Sequence, residues 1–173
     1  MILDGDRDFP PALTAVAGVT FEFTRDGGVD YEPYEEFPST EETTAWFRAW
    51  TGNAEVSGDA FRVFGQDGTG GLAAFWLVLP EKGLADQPIV FFGSEGDRGV
   101  IARDLGCYLW LLADGFGPFE AVAFPDQSSR PNPEMTAIAE QYAPDLRKPA
   151  KTVIREAAEE FPHFNRMIEE LCR

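Results

Sequence analysis

Two uninterrupted apolar runs decide the fold: LAAFWLVL at residues 72–79 and IVFF at residues 89–92. Pro80 ends the first run, and Pro88 and Gly93 bound the second. Short apolar runs of about four to eight residues between glycine and proline are typical of strands that are covered on both faces of a sheet. We therefore predict two central strands with an apolar layer on each side.

The neighbouring segments predict further strands joined by glycine turns. FRVF at residues 61–64 alternates apolar and polar residues, and VTFEFT at 19–24 does the same before a turn at 26–28. GTGGLA at 68–73 has the spelling of a dinucleotide-binding loop, but a strand follows it where the pyrophosphate would need a helix N-terminus. We predict a hairpin turn there, and mainly antiparallel pairing because turns, not helices, separate the strands.

Helical spacing dominates the rest of the chain. Ser39 and Glu42 form a capping box ahead of a short amphipathic helix that ends at Gly52. From Val100 the apolar period becomes helical, and Asp104 is placed to cap a helix that is apolar all round and stops at 114–115. Three proline-marked positions begin further helices: Asn132-Pro133, Pro149 and Pro162.

These elements predict a single α+β domain over residues 1–173, in which helices flank a twisted, mainly antiparallel sheet. The length of 173 residues fits one domain. We expect the helical segment 126–173 to pack on the sheet. The linker-like stretch 125–133 leaves open the alternative that this segment is an appendage.

The charge balance excludes several classes of partner. Thirty acidic and fourteen basic residues give a net charge of −16, which opposes attraction to nucleic acids and anionic membranes. No apolar run approaches the ~20 residues of a membrane span, and the acidic start lacks the basic stretch of a signal peptide. We expect a cytoplasmic protein in which Cys107 and Cys172 are reduced thiols.

No catalytic or metal-binding pattern emerges from the titratable residues. The sole histidine is His163, and Ser94 does not lie in the G-x-S-x-G turn of hydrolases. One histidine and two distant cysteines do not suggest a zinc site. Asp4, Asp6 and Asp8 have the spacing of the first ligands of a calcium loop, but the glycine and glutamate required later are missing. We expect no catalytic residue, no cofactor and no metal.

The negative charge is concentrated near aromatic residues in the first third of the chain. Residues 1–60 hold thirteen acidic and three basic residues, a net of −10 out of −16. A solvated loop held by its aromatic side chains is one interpretation, and a partner-binding surface is the other. The candidate contact residues are Tyr31, Tyr34, Glu35, Glu36, Glu41, Trp46 and Trp50, with Asp67, Glu95 and Asp97 in loops as secondary candidates.

Three stretches resemble the SUKH superfamily, which joins fungal regulators of cell-wall synthesis to bacterial immunity proteins of polymorphic toxin systems. They are FGQDGTGGLAAFWLV (64–78), PIVFFGSEGDRGVIARDL (88–105) and YLWLLADGFGPFEA (108–121), within about a third of the chain. The resemblance places a family-like core at residues 61–121 and implies a central sheet with glycine turns, followed by a buried helix. It also implies a binding protein that neutralises a toxin by direct contact.

We therefore expect a non-catalytic protein-binding domain of the immunity type, acting as a monomer or weak dimer. A cationic toxin domain is the expected partner, because opposite charge steers association. A housekeeping regulator or scaffold of the same fold, binding an endogenous protein, is the alternative. A small-ligand-binding or enzymatic domain is a third class.

Overall fold

The computed structural model describes residues 7–24 and 27–173, and its centre is a five-stranded antiparallel sheet. The spatial order of the strands follows the chain: β3 (Glu32–Pro33), β4 (Phe61–Gln66), β5 (Leu72–Trp76), β6 (Ile89–Phe92) and β7 (Arg98–Ala102). A separate short hairpin pairs β1 (Phe23–Thr24) with β2 (Gly27–Gly28). The α-helices of this part of the chain are α1 (Pro11–Ala17), α2 (Thr40–Thr51), α3 (Leu105–Ala113), α4 (Pro118–Ala123), α5 (Pro133–Tyr142), α6 (Ala150–Glu160) and α7 (Phe164–Leu171).

The two central strands are β5 and β6, as the apolar runs predict. Every residue of both strands is buried, and neighbouring strands pair antiparallel throughout the sheet. The strand β5 ends at Trp76, earlier than the apolar run that contains it. Three residues later, the buried Gln87 side chain satisfies the backbone of Leu79, accepting from Leu79 N at 2.9 Å and donating to Leu79 O at 2.6 Å.

Apolar layers cover the sheet on both faces. On one face Phe64, Phe75 and Phe91 pack with residues of α1, α3 and α5. On the other face Trp76 and Phe92 pack with residues of α2 and α7. Because successive side chains of a strand point to opposite faces, buried strands of this kind need cover on both sides.

The helix α3 is buried on all sides, in agreement with its unbroken apolar sequence. Asp104 Oδ1 accepts a hydrogen bond from Cys107 N at 2.7 Å, which caps the helix as predicted. Trp110 Nε1 donates to the carbonyl oxygen of Ala143 at 2.7 Å, so the indole has a polar partner inside the core. This bond joins α3 to the segment that follows α5.

The C-terminal helices are layers of the same core. The helix α5 packs on α3, and α6 packs on β7 and α3. Val153 of α6 belongs to the first apolar cluster and Ala157 to the second, so α6 covers the β7 edge between the two faces. None of the helices in the described part of the chain has the length and apolar character needed to traverse a bilayer.

Two local expectations differ from the structure, and two short helices are additional to those expected. Val100–Ala102 form the end of β7, so the change to helical period at Val100 was placed too early. Within the apolar–polar alternation at 19–24, only Phe23–Thr24 is a strand, and Asp26 of the expected turn lies outside the described residues. The helices α1 and α4 were not predicted. Both are short and begin at proline, and burial of residues such as Leu13 and Ala121 stabilises them.

Candidate functional site

A groove of about 790 Å³ opens beside α2, at the end of the sheet where β3 pairs with β4. Its apolar lining includes Val63 and Leu72, which come from β4 and β5 and are themselves largely buried. The side chains of Tyr34 and Trp46 also line it. Its charged lining residues are Arg7, Glu32, Glu35, Glu36 and Glu42. The groove thus combines an apolar and aromatic lining with four carboxylates and one guanidinium.

The capping box fixes the side of the groove that belongs to α2. Ser39 Oγ accepts from Glu42 N at 3.1 Å, and Glu42 Oε2 accepts from Ser39 N at 2.8 Å. Hydrogen bonding to the carboxylate lowers the pKa of the Glu42 carboxyl, first from the Ser39 backbone N–H and then from the Ser39 side chain. The box sets the start of the helix, so that Trp46, four residues after Glu42, lines the same groove one turn later.

A short hydrogen-bond chain orients Tyr34. Its hydroxyl donates to Gln66 Oε1 at 2.9 Å, and Gln66 Nε2 donates to Glu32 Oε2 at 3.0 Å. Partial burial, followed by the Glu32 charge, raises the pKa of the Tyr34 hydroxyl. The ring is therefore held in place as a neutral aromatic surface.

The two tryptophans of α2 differ in role. Trp50 Nε1 donates to the carbonyl oxygen of Gly93 at 2.8 Å, which ties the helix to the β6–β7 turn. Trp46 packs its ring edge-to-face against Phe92 with centroids 5.2 Å apart, and it lines the groove. Both rings are half-buried, so Trp50 is an anchor of the fold and Trp46 a semi-exposed wall of the site.

Arg7 places one positive charge among the groove carboxylates. Its Nη2 lies 3.1 Å from Glu36 Oε1 and 4.0 Å from Glu42 Oε2, and its Nε donates to Phe37 O at 2.8 Å. Glu35 is exposed and has no hydrogen-bond or ion-pair partner in the described part of the chain. Negative charge therefore remains in excess around the groove.

The structure brings together four of the predicted contact residues. Tyr34, Glu35, Glu36 and Trp46 all line the groove. Glu41 is exposed on the first turn of α2, next to Glu42. Among the other candidates, Glu95 and Asp97 are exposed in the β6–β7 turn and do not line it.

Two predicted contact residues are buried and cannot serve as surface contacts. Tyr31 is 5% exposed, with its ring against the backbone of Gly65 and the edge of Phe21. Asp67 is 3% exposed because its Oδ1 accepts from Thr69 N, Thr69 Oγ1 and Gly71 N of its own turn. An acidic turn residue that satisfies local amides is directed inward even in a charged loop.

Sequence reasoning did not single out Arg7, Gln66 or the apolar floor of the groove. Val63 and Leu72 lie on strands that meet only through the pairing of β4 with β5, which no local pattern reveals. Arg7 stands in a segment without periodicity, and its role depends on a contact with residues about 30 positions away. Glu32 and Glu42 belong to the acidic stretch, but composition alone does not show that these two glutamates, among their acidic neighbours, line the groove.

A buried polar cluster lies beneath the β4–β5 turn, on the other face of the sheet. Glu120 Oε1 accepts from Asp30 N at 3.2 Å, while its Oε2 and Asp67 Oδ2 have no hydrogen-bond partner among the described residues. Burial raises the pKa of Glu120 to about 7, with smaller contributions from the Asp30 and Asp67 charges. Burial also raises the pKa values of Tyr31 and Tyr108, whose hydroxyls lie close together without a hydrogen bond of ordinary geometry.

Other reactive side chains do not assemble into a site. His163 is exposed where α7 begins, and burial raises the pKa of the Cys107 thiol to about 12. Within residues 7–24 and 27–173, no three acidic, histidine or cysteine side chains are grouped to hold a metal ion. Asp4 and Asp6 of the calcium-like spacing lie outside the described residues.

We compared the chain with known protein families, curated proteins and solved structures. No protein-family model, curated protein or solved structure matches the chain. A relation to SUKH proteins therefore rests on the sequence pattern of residues 61–121 alone.

Proposed function

We propose that the protein is a non-catalytic binding domain of the immunity type, which neutralises a bacterial toxin domain by direct contact through the groove beside α2. The observation that carries the proposal is the composition of this groove. Two oriented aromatic rings, Tyr34 and Trp46, stand beside an apolar floor and four carboxylates. Tryptophan and tyrosine are enriched among residues that dominate binding energy, and charges around an interface set association rate and specificity.

The charge supports a cationic partner. The net charge of −16 gives the whole protein a negative field, and the groove adds a local excess of carboxylates. Such fields raise association rates by about 10–10³ for a partner of opposite sign. The resemblance of residues 61–121 to SUKH proteins adds the toxin-neutralising role to the proposal. A cytoplasmic location is part of the same proposal.

The buried carboxyl cluster does not favour an enzyme over a binding protein. A carboxyl with a pKa near 7 is the usual property of a general acid or base. Glu120, however, is 3% exposed and is not among the residues that line the grooves of about 260, 290 and 790 Å³ in the described part of the chain. A housekeeping regulator would use the same groove to bind an endogenous protein. A toxin gene beside the gene of this protein favours the immunity role, and the absence of such a gene favours the regulator.

Co-expression tests the proposal. The full chain is expressed with the toxin domain encoded beside its gene, and growth is followed together with complex formation by gel filtration. We expect rescue of growth and a one-to-one complex, both weakened by Trp46→Ala. Phe124→Ala is the matched control, because this exposed aromatic residue does not line the groove, and it should rescue like wild type. No rescue and no complex at micromolar concentration would refute the immunity role.

A further inference from the structure

We propose that the groove binds an arginine side chain of the partner. The guanidinium stacks on the rings of Trp46 and Tyr34, which form the walls of the groove. It also contacts the carboxylates that form the rim, which are Glu32, Glu35, Glu36 and Glu42. This inference rests on the proposed function and specifies the chemistry of the partner. Arginine is distinguished from lysine by a flat, weakly hydrated cation that stacks on aromatic rings and pairs with carboxylates through two parallel hydrogen bonds.

A guanidinium already lies at the rim of the groove. Arg7 Nη2 is 3.1 Å from Glu36 Oε1 and 4.0 Å from Glu42 Oε2. The side chains of this trio remain 45%, 58% and 65% exposed, so the contact is made at the mouth and not in the interior. The chain itself thus provides an example of a guanidinium held between these two carboxylates.

Arg7 neutralises only part of the rim. Glu35 has no partner within the described residues, and Glu32 is held by the neutral amide of Gln66. A cationic side chain of a second molecule can therefore pair with Glu35 without breaking an existing hydrogen bond. An incoming guanidinium also competes with Arg7 for Glu36, since that pair is largely solvated and weak.

The aromatic walls and the apolar floor of the groove favour an arginine side chain over a lysine side chain. Trp46 and Tyr34 present ring surface to the groove, and Val63 and Leu72 give its floor an apolar character. An arginine buries its methylene stem on apolar surface and stacks its head on an indole, which is the strongest aromatic partner for a cation. A lysine ammonium retains more water and has no flat surface to stack, so the groove should discriminate against it.

Two model peptides test the proposal: acetyl-Gly-Arg-Gly-Arg-Gly amide and its lysine counterpart. Each is titrated into the ¹⁵N-labelled full chain at low salt, and the indole N–H signal of Trp46 and the amides of the groove are followed by NMR. We expect the arginine peptide to bind about two- to fivefold more tightly than the lysine peptide, the range that a semi-exposed cation–π contact gives. Groove signals should move, and those of α5 should not.

Three variants locate the effect. Trp46→Leu should abolish the preference for arginine, whereas Trp46→Phe, which keeps an aromatic ring and guards against a folding defect, should retain part of it. The pair Glu35→Gln and Glu36→Gln should weaken both peptides, and the exposed pair Glu134→Gln and Glu169→Gln should weaken neither. Arg7→Met keeps the apolar stem and should tighten the arginine peptide about twofold, because it removes the competing guanidinium.

Equal affinities for the two peptides, or shifts spread over the acidic surface without the groove, overturn the proposal. Survival of the arginine preference in Trp46→Leu overturns it as well. These results are separable from the co-expression test. If groove variants lose toxin neutralisation while the peptides bind equally, the binding function stands and the arginine assignment fails. If arginine is preferred but no toxin is neutralised, the immunity role fails and the site chemistry stands.

Discussion

Glu120 carries a carboxyl group beneath the β4–β5 turn, where one oxygen accepts from Asp30 N and the other has no hydrogen-bond partner in residues 7–24 and 27–173. The charged groups that face it are the carboxylates of Asp30 and Asp67, and Tyr108 lies near enough to sense its charge. Burial is the main cause of the raised pKa of Glu120, and the Asp30 and Asp67 charges add to it. Backbone hydrogen bonds such as the one from Asp30 N favour the ionised form but do not outweigh burial. The folded protein therefore holds this proton to higher pH than the unfolded chain does.

The raised pKa of Glu120 makes stability depend on pH. Between the ordinary value of 4.5 and about 7 the unfolded chain loses the proton while the folded protein keeps it, so stability falls as pH rises through this window. Glu120→Gln removes the titration and retains the acceptor for Asp30. We expect the free energy of unfolding of the variant, relative to wild type, to increase by about 2 kcal/mol from about pH 5 to about pH 7.5.

Urea denaturation at the two pH values measures this difference, with the exposed Glu134→Gln as the control. A difference between Glu120→Gln and wild type that stays constant across the window would contradict the assignment of a raised pKa. The Glu134 side chain is exposed, so this control separates the effect of burial at Glu120 from the loss of a carboxylate as such.

Gly65 is required by the burial of Tyr31. A Cβ at Gly65 would lie 2.5 Å from Tyr31 Cε2 and 2.6 Å from the hydroxyl oxygen, closer than real contacts allow. We expect Gly65→Ala to lower the free energy of unfolding by about 2–3 kcal/mol, as overpacking does. Gly83→Ala is the control, because a Cβ there meets nothing within 4 Å, and its effect should be within about 0.5 kcal/mol. Equal effects of the two variants in urea denaturation would refute this packing argument.

At the scale of single elements, the capping box of α2 controls the wall of the groove. Ser39→Ala removes the acceptor for Glu42 N and should cost about 1 kcal/mol, whereas Ser39→Asp retains a capping oxygen and should cost much less. Urea denaturation followed by circular dichroism measures both. A loss of the same size in the two variants would show that the hydroxyl hydrogen bond is not what stabilises this helix start.

The elements that sequence predicts are those whose signals are local. The capping residues Ser39, Asp104 and Asn132 each accept the backbone hydrogen bond that their position implies. The strands β5 and β6 follow from apolar runs that no exposed helix tolerates. In these cases the pattern of a few consecutive residues is enough to determine the element. The antiparallel sheet and the longer helices can therefore be predicted from the sequence.

The elements that sequence misses are defined by distant partners. The apolar residues at the end of β7 continue directly into the apolar pattern of α3, so the sequence does not show where the strand ends and the helix begins. Pairing of β7 with β6 sets that boundary. Two-residue strands such as β3 exist only because β4 lies beside them. The groove follows the same rule. Its rim comes from one acidic stretch and was predicted in part, whereas its floor depends on strand pairing and was not.

At the scale of the whole molecule, one sheet carries apolar layers on both faces and α6 closes the β7 edge between them. Leu109 of α3 and Ile168 of α7 are buried on opposite faces. We expect Leu109→Ala and Ile168→Ala each to cost about 2–5 kcal/mol within a single unfolding transition, and their effects to add in the double variant.

Urea denaturation followed by near- and far-ultraviolet circular dichroism checks this cooperativity. The exposed Glu169→Ala, next to Ile168 on α7, is the control and should change stability little. A separate early transition in Ile168→Ala would mean that α7 unfolds on its own and is an appendage to the sheet.

The rate constant of association with the toxin domain encoded beside the gene tests the central claim most directly. It is measured at low and high salt for wild type and for two variants that each remove four charges. One changes Glu35, Glu36, Glu41 and Glu42 to Gln; the other changes the exposed Glu81, Glu134, Glu159 and Glu169 to Gln. We predict that the first slows association about tenfold at low salt and flattens its salt dependence, while the second leaves both near wild type. Equal rates for the two variants would contradict a groove-centred binding site.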